Sequence, residues 1–100
     1  MTRQEVEAAV ITAITEIQGI SGRECPKITA KTIPIGGVPG FDSLNGLEAT
    51  ILIDKRLGIE TPDDARLFTN ETGERAIPIA EIAQRIVEFI ESREGKAHVK

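Results

Sequence analysis

Three stretches of this 100-residue chain repeat their apolar residues at intervals of three and four, and that spacing restricts the fold more than any other feature. The first is Val6, Ala9, Val10, Ala13, Ile14 and Ile17; the last is Ile79, Ile82, Ala83, Ile86, Val87, Phe89 and Ile90. Such residues line one face of a helix, which has about 3.6 residues per turn. Between them, 44–57 carries two apolar rows. Lys27-Ile28-Thr29-Ala30-Lys31 can extend briefly, but no hairpin partner stands beside it. The expectation is an all-α fold: a small antiparallel four-helix bundle of three long helices and one short one.

End signals set the boundaries. Thr2-Arg3-Gln4-Glu5 has capping-box spacing and opens a helix over 3–18, with Gly19 as its stop. A long loop over 19–42 follows, holding Pro26, Pro34 and Pro39; its Ile28, Ile33, Ile35 and Val38 are expected to pack over the core. Loops of this length are often functional. Asp42 caps a second long helix over 43–57, which Gly58 ends. Thr61-Pro62-Asp63-Asp64 reads as cap, first-position proline and first-turn acids, opening a short helix over 62–68. Pro78 opens the last helix, 78–93, where Glu81 and Arg85 stand at ion-pair spacing. Gly95 then closes it, leaving a tail over 95–100. One hundred residues suit a single domain.

The helix over 43–57 is the most informative. Gly46, Ala49, Ile53 and Leu57 form one row, and Leu44, Leu47 and Ile51 form another nearly opposite it. A small domain cannot readily cover both sides of one helix. Glu48, Asp54 and Lys55 flank the second row, which a buried helix tolerates poorly. The first row is therefore assigned to the core. The second is assigned to a docking face of Leu44, Leu47, Glu48, Ile51 and Asp54.

Several function classes lose ground. A net charge of −4 argues against nucleic acid and fits a partner with a basic surface. Cys25 is the only cysteine, so no internal disulfide can form; the only histidine, His98, lies in the polar tail. Neither a catalytic Cys–His pair nor a closed zinc set can be assembled, and no metal site is expected. No apolar run approaches the ~20 residues of a membrane span. The charged N-terminal residues lack a signal-peptide core, so a cytoplasmic monomer is expected.

The Pro/Gly-rich run Pro34-Ile35-Gly36-Gly37-Val38-Pro39-Gly40 leads directly into Gly40-Phe41-Asp42-Ser43-Leu44. Ser43 thus stands at a loop-to-helix junction, where backbone N–H groups point outward and the helix dipole is positive. A phosphate attached there would be stabilised. Ser43 has no evident base to make it a nucleophile, since Asp42 beside it reads as a cap. Spacing alone allows an ordinary helix-start hydroxyl as readily as an attachment point.

Gly40-Phe41-Asp42-Ser43-Leu44 resembles the attachment motif of acyl carrier proteins, Gly-x-Asp-Ser-Leu. The similarity continues through Glu48, the two rows, Gly58-Ile59-Glu60-Thr61-Pro62-Asp63 and the Ile-rich last helix, and so spans nearly the whole chain. The resemblance implies a non-catalytic carrier. Ser43 would receive 4′-phosphopantetheine from coenzyme A through a phosphopantetheinyl transferase, with Asp42 as the motif's cap. The arm would carry acyl groups as thioesters to acyl-transferring and condensing enzymes of fatty-acid, polyketide or related biosynthesis. The family's recognition helix maps onto Leu44, Leu47, Glu48, Ile51 and Asp54. Asn45 stands where the family commonly has an acid, and Asp54-Lys55-Arg56 where it commonly has a run of acids. Those departures imply a specialised carrier serving a dedicated pathway. Alternatives are a peptidyl or aminoacyl carrier, or an unmodified, carrier-like interaction subunit.

Overall fold

The computed structural model describes residues 2–62, 66–70 and 72–99, with the backbone alone from 93 onward. Four helical elements follow one another: α1 (Arg3–Ile20), α2 (Pro34–Gly37), α3 (Ser43–Leu57) and α4 (Ile79–Val99). Among the described residues there is no strand, only an isolated antiparallel bridge between Thr69 and Ala76. The fold is all-helical, a small bundle.

The first helix begins as its capping box requires. The Thr2 hydroxyl accepts from the Glu5 N–H at 3.2 Å, and the Thr2 N–H donates to Glu5 Oε1 at 3.0 Å. Gly19 falls inside its last turn. Among the named helices, α1 is the one that packs extensively against both α3 and α4. Its Val6, Val10, Ala13, Ile14 and Ile17 meet Ala49 and Ile53 of α3 and Ile79, Ile82, Ala83 and Ile86 of α4 in one aliphatic core. Phe41 and Phe68 are the aromatic contributors, with ring centroids 5.6 Å apart. Burial of these side chains stabilises the bundle by about 1.5–3 kcal/mol for each large one.

The connection over 21–42 is pinned rather than free. The first N–H groups of α4 have no partner within their own helix. Ile79 N–H donates to Thr32 O at 2.9 Å and Ala80 N–H to Ala30 O at 2.8 Å, so the loop caps α4. Ile28, Ile35 and Val38 pack on the core as expected, but Ile33 is 41% exposed and does not. Pro34 opens a single turn, α2, within which Ile35 and Gly36 leave helical geometry.

The expected short helix over 62–68 is corrected at its described positions. Thr61 does not cap it: its N–H and hydroxyl donate to the two oxygens of Asp54 at 3.0 and 2.6 Å. Residues 66–68 are coil and bend, with Leu67 and Phe68 turned into the core. Residues 63–65, including the expected first-turn acids Asp63 and Asp64, lie outside the described residues. Arg85 explains part of the outcome. It donates to the carbonyls of Arg66 and Thr69 rather than pairing with Glu81, and so ties the 66–69 stretch to α4. The Asn70 side-chain oxygen then accepts from the Glu74 and Arg75 N–H groups and closes the next turn. The expected stop at Gly95 is also corrected, because α4 continues to Val99. Glycine within a helix costs about 1 kcal/mol relative to alanine but does not forbid it.

Candidate functional site

The start of α3 is built by two residues that flank Ser43. Asp42 Oδ1 accepts from the Asn45 N–H at 3.0 Å, and Asn45 Oδ1 accepts from the Asp42 N–H at 3.2 Å. This is a complete capping box with Asn in place of the usual Glu or Gln. Asn45 Nδ2 also donates to Glu48 Oε1 at 3.0 Å. Asn45 is buried and Asp42 exposed. One oxygen of its carboxylate is engaged by a backbone N–H, so Asp42 serves as the cap of α3.

Ser43 is the first residue of α3 and is exposed. No described residue hydrogen-bonds its hydroxyl. The backbone before it is fixed from below: Phe41 is buried, and its N–H donates to Val38 O at 3.0 Å. Gly40 supplies a φ of +73° that other residues adopt only with strain. Ser43 therefore follows a buried, hydrogen-bonded turn.

On one side of Ser43 the second apolar row faces solvent, with Leu44, Leu47 and Ile51 exposed at 66%, 55% and 58%. Glu48 is exposed among them. Asp54 is half-buried, with both oxygens turned back to Thr61, so it braces the turn after α3. The opposite row behaves differently: Gly46, Ala49 and Ile53 are buried and Leu57 half-buried.

A groove of about 410 Å³ opens beside Ser43. It is lined on the α3 side by Leu44, Gly46, Leu47 and Thr50, and otherwise by Leu67, Phe68 and Arg66. Gly46 lies on its floor, and a methyl group there would meet the Phe68 ring at an ordinary 3.6 Å. Sequence reasoning missed this groove because it assigned 62–68 to a helix. It also missed Asn45 as a capping residue, although the three-residue spacing from Asp42 carried that signal.

Cys25 is exposed, 3.9 Å from the Thr15 hydroxyl, and stands apart from this site. Among the described residues there is no cluster of His, Cys, Asp and Glu able to hold a metal ion. No helix among them is long and apolar enough to cross a membrane. The chain matches no protein-family model, no curated protein and no solved structure.

Proposed function

We propose that this protein is an acyl carrier whose Ser43 bears a covalent 4′-phosphopantetheine arm, its bundle being antiparallel and of the carrier type. The observation that carries the assignment is the Ser43 hydroxyl itself. It is exposed, has no hydrogen-bond partner among the described residues, and stands on the first turn of a helix within a Gly-Phe-Asp-Ser-Leu motif. When bound, the arm would supply a terminal thiol that carries acyl groups as thioesters.

The residues present fit such a group. The helix start offers unpaired N–H groups and a positive dipole end to the phosphodiester. The groove beside Ser43 is lined mainly by apolar residues, with Arg66 as its one cation among the described residues. In the transfer, the Ser43 oxygen forms a bond to phosphorus and the pyrophosphate P–O bond of coenzyme A breaks. Adenosine 3′,5′-bisphosphate departs. The hydroxyl proton passes to a base on the transferase. The domain is then a substrate of the transferase and a vehicle for others, not a catalyst.

Leu44, Leu47 and Ile51, with Glu48 at their edge, form the surface on which the transferase and the acyl-transferring and condensing enzymes dock. Asp54 contributes by holding the end of that surface rather than by direct contact. Asn45 closes the capping box as a Glu would, but without the charge, and leaves the face less acidic. A less acidic face suits partners of a dedicated polyketide, peptide or lipid pathway in the cytoplasm.

The test is intact-mass measurement after incubation with coenzyme A and a broad-specificity transferase. The wild type is expected to gain one phosphopantetheinyl group and Ser43→Ala none. A wild type that stays unmodified would instead make the protein an interaction subunit that keeps only the carrier-like surface.

A further inference from the structure

We propose that Arg23 is a positioning residue for the modification of Ser43, holding the two flanks of that serine in one fixed arrangement; this rests on the carrier assignment. Arg23 lies just beyond α1, and its N–H donates to Gln18 O at 2.9 Å, so its backbone is set by the end of that helix. Its side chain crosses to the site. A single nitrogen, Nη1, donates to Gly40 O at 2.7 Å and to Asn45 Oδ1 at 3.1 Å. One acceptor precedes Ser43 and the other follows it.

Two further contacts make this a clamp. A Cβ on Gly40 would stand 2.6–3.0 Å from Arg23 Cδ, Nε and Cζ, so the side chain packs directly on the glycine. Only glycine admits both that approach and the +73° φ. Gln18, fully buried in the last turn of α1, donates from Nε2 to Glu24 O at 2.7 Å and to Pro39 O at 2.8 Å. The same end of α1 thus grips Pro39 and Gly40 in succession. Asn45 Oδ1, which Arg23 reaches, also receives the Asp42 N–H. The guanidinium therefore acts on the capping box from outside and on the preceding loop at once.

A capping box alone fixes the helix side of Ser43. The loop side needs its own anchor, and Arg23 ties the two together. Group transfer to an oxygen depends steeply on alignment, and a displacement of about 1 Å can cost a hundred-fold in rate. Leu44, Leu47 and Ile51 make no side-chain hydrogen bond to this network, which meets the docking face only where Asn45 donates to Glu48, so kcat and KM read alignment and docking apart.

Arg23→Ala and Arg23→Gln are compared with wild type in steady-state transfer from coenzyme A, with Ile86→Val as a core control remote from Ser43. The proposal expects kcat to fall roughly ten- to a hundred-fold in Arg23→Ala, with KM for the carrier little changed. Arg23→Gln, which keeps an N–H donor, recovers part of the loss. Amide NMR shifts should move at Gly40 through Leu44 and stay fixed in α4. Wild-type kcat in Arg23→Ala, or a loss no greater than that of the control at equal thermal destabilisation, overturns it. If the wild type itself is never modified, the carrier assignment fails and the clamp is judged by NMR alone. Shifts at Gly40–Asn45, beyond those beside residue 23 itself, then uphold a preset turn, and shifts limited to the neighbourhood of residue 23 refute it.

Discussion

Ile53 and Ile51 sit two residues apart on α3 and should respond oppositely to truncation. Ile53 is completely buried, whereas Ile51 is 58% exposed. Ile53→Ala removes about three carbons from the core, or about 2.4 kcal/mol at ~0.8 kcal/mol each. The hole it leaves between α1 and α3 adds about 1–2 kcal/mol if the walls do not collapse, at ~24 cal/mol per Å³. The total, about 3.4–4.4 kcal/mol, is a large share of the ~5–15 kcal/mol expected for a domain of this length. Ile51→Ala opens no cavity and forfeits only partial contact, under about 1 kcal/mol. With no Trp or Tyr in the chain, urea unfolding is best followed by far-ultraviolet circular dichroism. At a slope of ~2 kcal/mol/M, the midpoint should fall by about 2 M for Ile53→Ala and by under about 0.5 M for Ile51→Ala. Equal or reversed shifts would mean that α3 is rotated about its axis, and the exposed row would lose its meaning.

Other perturbations probe the pieces around the site. Gly46→Ala gains helix propensity without a clash, since the added methyl meets Phe68 at 3.6 Å; thermal unfolding should show a gain of up to about 1 kcal/mol. Asp54→Ala removes the acceptor of both Thr61 donors and should cost about 1–2 kcal/mol, and Thr61→Val alone should show about half of that loss. Glu5 should titrate below its ordinary 4.5, because the backbone N–H and then the hydroxyl of Thr2 donate to its carboxylate. A lowered folded value means that the capping box stabilises α1 fully above pH 4.5 and loses that contribution as pH falls through the folded value. Carbon-detected NMR titration should find the Glu5 midpoint moving up toward 4.5 in Thr2→Ala, though not all the way, since the backbone donor remains.

What the sequence disclosed follows from where local chemistry decides structure. Thr2 with Glu5, Asp42, Gly58 and Pro78 each act within a turn of themselves, and each lies at a helix end in the structure. The rows of α3 were readable because the period of a helix fixes which residues share a side. The region after α3 was not. Thr61-Pro62-Asp63-Asp64 carries strong helix-start chemistry, yet Asp54 holds Thr61 and Arg85, distant in sequence, takes the carbonyls of Arg66 and Thr69. At the described residues on either side, long-range partners hold the chain, and Leu67 and Phe68 of this stretch line the groove beside Ser43. The Arg23 clamp was hidden for the same reason, since it joins residues 17 and 22 positions apart.

The central claim concerns one hydroxyl, and tandem mass spectrometry of proteolytic peptides after the transferase reaction tests it most directly. The phosphopantetheinyl group should be found on Ser43 and on no other residue. A group located on Thr50, Cys25 or any other side chain, or a Ser43 peptide that never gains it, would contradict the account.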